Sequence, residues 1–427
     1  MGLSIGLDFG TTNTVATSIN ADGRAEAIHF AHARAMSDAF RSVLCFWETH
    51  EEKARRVNVE AGPWAIDQFL ELMGECRFIQ SFKTFAASPL FTDTLIYGRR
   101  LKFEDLLSTF LRRVRDHAGR DFPERVIVGR PVKFAGVAPD EALARERYEA
   151  ALRAVGFETI DHVYEPVAAA HFFAQRLDAE ATILVADFGG GTSDFSIVRF
   201  SRGPRGLSYT PLAHAGVGIA GDAFDYRIVD QVVARAFGKG SEYKSWGKIL
   251  PVPNGYFSKF SRWNELSIMR HSKDYRDLQQ LARASLDPER IEAFLAFLDA
   301  DAGYAMNRAV TAAKMQLSQG EEGVLSFHVA GVDIERVIKR AEFEEWIAPE
   351  LAEISACVDR ALSEANLRET EIDRVFLTGG TSFVPAVREQ FEARFGAHKI
   401  ETGDQLVSIA YGLALIAQED DVSRWAA

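Results

Sequence analysis

The sequence is poor in cysteine: Cys45, Cys76 and Cys357 are the only three in 427 residues. They are scattered and lack metal-ligand spacing, which excludes a zinc module or a disulfide-stapled scaffold. Reduced, buried thiols in a cytoplasmic protein are the expectation. No apolar run is long enough to span a membrane. The N-terminus enters an apolar stretch at once, without the charged segment of a secretory signal, so none is expected. An excess of positive charge is also missing. The formal net charge of −12 argues against binding nucleic acid by phosphate neutralisation. The histidines form no metal-like pair, and no linker rich in Gly, Pro or Ser suggests a flexibly tethered domain. What remains is a globular composition, 47% hydrophobic and 26% charged, long enough for roughly two or three domains.

The most informative stretch is Asp187-Phe188-Gly189-Gly190-Gly191-Thr192-Ser193-Asp194. The apolar run Thr182–Ala186 before it and Phe195–Phe200 after it read as strands. Three glycines admit positive φ and leave no Cβ in a ligand's way. Backbone N–H groups of such a turn can converge on an anion, and the flanking Asp187 and Asp194 suit a magnesium–phosphate pair. An ordinary tight hairpin with solvent-facing acids is the competing reading. A second stretch, Leu3-Ser4-Ile5-Gly6-Leu7-Asp8-Phe9-Gly10-Thr11-Thr12-Asn13-Thr14-Val15-Ala16, repeats the strand, Asp-Phe-Gly turn and strand. The repeat suggests two similar lobes, each giving one phosphate loop, that clamp a polyphosphate from both sides.

In the first lobe, strands are expected at Leu3–Phe9, Thr14–Ile19, Glu26–Phe30, Ser42–Trp47, Arg125–Val128 and Ile160–Glu165. His50–Arg56 reads as a charged loop. Helices are expected at 62–75, Phe103–His117, Asp140–Val155 and Pro166–Leu177. The second lobe continues with a strand at 206–213, a helix to about Phe237, a long helical pattern over 289–318 and strands at Val324–Val329 and Val332–Ile338. Helical spacing then runs from Phe343 to Leu362, where Pro349 should kink or divide the helix. A strand at Arg374–Leu377 and helices at Val384–Phe395 and Val407–Ala417 complete it. Tyr243, Trp246, Tyr256, Phe257, Phe260 and Trp263 form an aromatic block, read either as the small core of an inserted subdomain or as a partner surface.

Five stretches in order resemble the actin/Hsp70/sugar-kinase superfamily: Ile5–Thr14, the Lys83 segment, Tyr164–Ala170, Asp187–Asp194 and Thr378–Pro385. The Glu-Pro-Val-Ala-Ala-Ala and Gly-Gly-Thr-Ser-Phe-Val-Pro forms are similar to the Hsp70 branch, and the Ser-Phe-Lys segment and length to its YegD-type, Hsp70-like members. The resemblance implies an α/β fold: a two-lobed actin-like ATPase with duplicated ribonuclease-H-like domains. Lobe I would be 1–178 plus 404–427 and lobe II 179–403, with a helical, aromatic subdomain inserted at about 238–310.

The resemblance also implies site residues, with ATP or ADP and Mg²⁺ between the lobes. Gly10, Thr11, Thr12 and Asn13 would hold the phosphates from the first lobe; Gly189, Gly190, Gly191 and Thr192 would close from the second. Asp8 and Asp187 would hold magnesium through water, with Asp194 as a further carboxylate. Lys83 would sit by the γ-phosphate and attacking water, and Glu165 would orient water or act as base. Gly218, Gly221, Asp222, Gly379, Gly380 and Thr381 match positions around the phosphates and ribose. Lys314 and Ser318, four apart on one helix face, match adenosine contacts, and Asp404 an acid near adenine. The sequence departs from the family at Thr311, where an acid is usual, and at Phe383, where the pattern has an arginine that stacks on adenine.

The function implied is a slowly hydrolysing, Hsp70-like chaperone or molecular switch, with a protein client or co-chaperone as partner and neither nucleic acid nor membrane. A small-molecule kinase of the same superfamily would need a substrate aspartate deep in the cleft. An actin- or MreB-like filament protein would pellet with nucleotide. The residues after Ala417 are too few for a peptide-binding β-sandwich, so no clamping of extended peptides is expected. The acidic tail and the aromatic block are the candidate output surfaces.

Overall fold

A computed structural model describes residues 4–20, 22–33, 35–51, 54–72, 75–134, 138–175, 179–203, 206–260, 266–270, 272–402, 407–419 and 421–425. Asp404 and Trp263 lie outside the described residues. The chain divides into two compact units, 1–220 with 353–427, and 221–352.

The first unit contains two sheets with one topology. In the first, the strand order is Thr159–Tyr164, Arg125–Arg130, Ser4–Phe9, Asn13–Ile19, Ala25–Ala27, with Ala39–Arg41 also pairing Asn13–Ile19. In the second it is Ile400–Thr402, Arg374–Thr378, Ala181–Phe188, Ser193–Gly203, Gly206–Val217. In each, an antiparallel meander of three strands continues on its first strand's other edge into two parallel strands. The duplicated α/β architecture is the one expected from the paired Asp-Phe-Gly hairpins. Ala181–Phe188 is buried at every position, as a strand covered on both faces requires.

Two helices fill the layer between these sheets. Glu165–Ala174 buries nine of its ten residues, and Ser408–Ile416 lies against it. Their apolar side chains share one core with Ile127 and Val163 of the first sheet and Ile183, Val185 and Phe376 of the second. A helix apolar all round has to be enclosed, and its alanines permit a close approach. A second core, on the opposite face of the first sheet, is aromatic: Phe9, Phe82, Phe110 and Tyr148 meet there.

Several local expectations are corrected. Within His50–Arg56, His50, Glu51 and residues 54–56 are strand rather than loop: Val43–Glu51 and Ala54–Ala61 pair antiparallel, and Arg55 pairs with Glu48 of the facing strand. The 289–318 pattern is two helices, Pro288–Asp299 and Gly303–Gln319. Asp301 breaks them at φ +47°, a left-handed conformation that aspartate tolerates. Pro349 sits inside the single helix Arg340–Glu364 and does not divide it, because the buried stripe Phe343, Ile347, Ile354 and Val358 outweighs the one hydrogen bond proline forgoes. The acidic tail is anchored at two positions: Val422 and Trp425 are buried in the inter-sheet core, with Trp425 stacked on Tyr209 at 4.1 Å, while Asp421, Ser423 and Arg424 are exposed.

The aromatic block divides. Phe257 and Phe260 are buried with Phe237, Phe294 and Phe297, while Trp246, at the turn of the hairpin Glu242–Ser245/Lys248–Pro251, is 100% exposed.

Candidate functional site

The two Asp-Phe-Gly turns are built alike. In the first, a Cβ on Gly10 would stand 2.2 Å from the Asn13 carbonyl oxygen, so only glycine lets the turn close. In the second, the Gly189 N–H donates to the Thr192 carbonyl at 2.9 Å. Each loop is braced from outside. Ser42 Oγ donates to the Gly10 carbonyl at 2.7 Å, and its backbone N–H donates to the Thr12 carbonyl at 3.0 Å. Arg41 Nη1 donates to Asn13 Oδ1 at 3.3 Å. Thr381 Oγ1 donates to the Gly189 carbonyl at 3.0 Å. Gly379, at φ +82°, lies so close to Phe188 that a Cβ would stand 2.1 Å from its carbonyl oxygen. Gly218 and Gly380 face open space, and Phe383 is 51% exposed.

Asp8 and Asp187 each stand one residue before the end of the first strand of their hairpins. Asp194 is buried beside them. It accepts from the Lys133 backbone N–H at 3.3 Å and from the Thr192 side chain. The one cation within the group is Lys83, whose Nζ is 2.7 Å from Glu165 Oε1, with both side chains more than nine-tenths buried. Lys83 comes from the short turn Phe82–Phe85, entered through Ser81 at φ +51°. Glu165 opens the helix Glu165–Ala174, and Gly129 makes room for it, since a Cβ there would meet Glu165 Cγ at 3.0 Å.

Negative charge is in excess of positive charge among these side chains. Burial and the neighbouring Glu165 push Asp8 and Asp194 up to about 7. Asp187 rises well above the ordinary carboxylate range through burial, Glu165, Asp8 and Asp194. Burial works against the charge on Lys83, but Glu165 and Asp8 hold its pKa above the usual lysine value. Such a cluster of oxygen donors short of positive charge fits a hydrated magnesium ion. Among the described residues no three His, Cys, Asp or Glu side chains are placed to hold a metal ion directly.

The second unit carries the residues matched to adenosine. Lys314 Nζ is 2.8 Å from Asp225 Oδ1 and 3.1 Å from the Gly221 carbonyl. Ser318 Oγ donates to the Lys314 carbonyl at 3.0 Å. Asp222 is exposed in the first turn of the helix Gly221–Ile228.

Sequence reasoning missed Ser42, Gly129, Lys133 and Gly216 as supports. Ser42, Gly129 and Lys133 act on partners distant in sequence and carry no local signal. Gly216 stood in plain view in the glycine-rich stretch Gly216–Gly221. A Cβ on it would meet Asp194 Oδ1 at 2.7 Å and Lys133 Cβ at 2.9 Å. Gly216→Ala is therefore expected to shift Asp194 and to slow any reaction that this carboxylate assists by about tenfold, given that an ångström of misplacement can cost more. An unchanged rate would show that Asp194 has slack.

The family model described as Hsp70 protein matches residues 93–244 and 298–419. The chain is 24% identical over 435 residues to chaperone protein DnaK of Deinococcus deserti, covering 98% of this chain and 59% of that protein. It is 26% identical over 433 residues to chaperone protein DnaK of Elusimicrobium minutum, covering 98% and 58%. To chaperone protein HscA of Pectobacterium carotovorum it is 27% identical over 314 residues, covering 73% and 39%. The chain thus spans about three fifths of the length of the DnaK proteins it matches. With well over half of its residues matched by the family model, the chain belongs to the Hsp70 family.

Proposed function

We propose that this chain binds Mg·ATP at the paired Asp-Phe-Gly loops, hydrolyses it slowly and works as an Hsp70-like chaperone or molecular switch. The observation that carries the reading is the cluster of Asp8, Glu165, Asp187 and Asp194 around the single cation Lys83, at the ends of two hairpins of like construction. The loops Gly10–Asn13 and Gly190–Thr192 would present backbone N–H groups to the phosphates, while the Gly189 N–H closes its own turn on the Thr192 carbonyl. Asp8 and Asp187 would accept hydrogen bonds from the waters of a magnesium ion, whose charge, when bound, offsets that of the phosphates. Lys83 provides a fixed cation where charge grows in the transition state. Glu165, held by Lys83, orients the attacking water and takes its proton. The Ser81-Phe82-Lys83 segment supports a place near the YegD-type members. A client or co-chaperone would read the nucleotide state from the surface.

Calorimetry with Mg·ATP on the folded protein should give saturable heat, and Asp187→Ala should remove most of the metal dependence. No heat with Mg·ATP would overturn the reading. The pH dependence follows from the raised carboxyls. Asp8 and Asp194 hold protons below about 7, and metal binding must displace them. Affinity for Mg·ATP is therefore expected to fall as pH drops from 7.5 through about 6, with proton release on binding that is largest near the acid end. A flat affinity across that range would mean the carboxyls are already ionised.

A further inference from the structure

Two of the three cysteines lie together, away from the carboxylate cluster. The strand Arg77–Gln80 runs antiparallel to Val43–Glu51, with Cys45 opposite Phe78. Cys76 stands at the bend just before that strand, two residues before Phe78, and both pack against the same small cluster. Cys45 is fully buried in a small apolar cluster with Val43 and Ala65, and the half-buried Cys76 packs against that cluster. The neighbouring Cys76, together with burial, pushes the Cys45 thiol up. Cys357 is buried on the helix Arg340–Glu364, where burial pushes its thiol up to about 11.

We propose that Cys45 and Cys76 are a redox-modifiable dithiol, which a small-molecule disulfide converts to an intrachain disulfide, and that this bond displaces Lys83. The partly exposed Cys76 reacts first. Its thiolate attacks one sulfur of the small disulfide, giving a mixed disulfide and one small thiol. Cys45 then gives up its proton and attacks Cys76 Sγ, and a second small thiol leaves with that proton. Two protein thiols are oxidised and one small disulfide is reduced to two thiols.

A disulfide requires the Cβ atoms to approach to about 4 Å, closer than diagonal neighbours on a ladder usually stand. Closing the bond therefore draws on the strand Arg77–Gln80. That strand passes through Ser81 directly into Phe82–Phe85, the turn carrying Lys83. The consequence for turnover rests on the ATP-hydrolysis reading above; formation of the bond does not.

The test incubates the full chain with millimolar oxidised glutathione, then alkylates it in denaturant for intact mass. The expected product is a monomer that has lost two hydrogens, with Cys357 alone alkylated. Cys45→Ala should instead stop at a glutathione adduct on Cys76, and Cys76→Ala should acquire neither bond nor adduct. Three alkylated cysteines in the wild type, or only adducts and linked dimers, would overturn the proposal. Amide hydrogen exchange across Ser81–Ala86 should change on oxidation and revert with reductant. Unchanged exchange in the oxidised protein would overturn the coupling to Lys83, whatever the protein does with ATP. If it does hydrolyse ATP, oxidation should slow turnover reversibly by about threefold or more, since small misplacements are costly. An oxidised protein with full turnover would also overturn the coupling. Absence of any ATP hydrolysis, with the bond formed and exchange changed, would strike the functional reading alone.

Discussion

Lys83→Ala is expected to slow ATP hydrolysis about a hundredfold, the equivalent of ~3 kcal/mol for one well-placed charge in the transition state. The affinity for Mg·ATP should change far less if, as proposed, the lysine acts on charge that develops only during reaction. The structure adds a second effect. Lys83 and Glu165 are a buried pair at 2.7 Å, and removing one member leaves a carboxylate uncompensated, at about 3–5 kcal/mol of stability. A lost activity in Lys83→Ala could then reflect unfolding alone. The double substitution Lys83→Met with Glu165→Gln separates the two, because it removes both charges and preserves volume. It should recover most of the stability in a denaturant melt and none of the hydrolysis. Single-turnover rates unchanged in folded Lys83→Met would show that Lys83 has no part in the reaction.

Gly412→Ala is expected to be strongly destabilising. Gly412 lies in the helix Ser408–Ile416, and a Cβ there would stand 1.8 Å from the Ala168 carbonyl oxygen and 2.5 Å from its carbon. The obstacle is backbone, so no rotamer relieves it and the two helices of the inter-sheet layer must move apart. Overpacking a core costs about 1–3 kcal/mol and sometimes more; a contact this close belongs at the upper end, with a fall in Tm of roughly 5 °C or more. Ala168→Gly should fail to rescue it, because the clash is with the main chain. Since Glu165 opens the displaced helix, turnover should fall along with stability. A circular-dichroism melt within a degree of wild type would show that the helix pair separates freely.

The site was legible where local chemistry is self-announcing. Asp-Phe-Gly turns between apolar runs, Glu165 before a proline and an alanine run, and Gly-Gly-Thr after a strand each carry their pattern within about eight residues. The supports were illegible for the opposite reason. Ser42 reaches Gly10 and Gly129 yields to Glu165 only because the sheet brings distant strands side by side. A short charged segment misled too: His50–Arg56 looks like a loop by composition, yet its described residues are strand and Arg55 pairs with Glu48 across the ladder.

The sequence by itself determined the two strand–turn–strand hairpins, the order of helices and strands around them and which acids flank the glycine turns, because hydrophobic period, glycine and proline act over a few residues. Only the tertiary structure decided that Lys83 and Glu165 are a buried pair, that Trp425 closes a core while Trp246 stands in solvent, that Pro349 stays within a helix, and that Cys45 meets Cys76. Each of these depends on what a distant segment places opposite the residue, and burial, which sets the strength of charge and packing alike, exists only once the sheets and helices have come together.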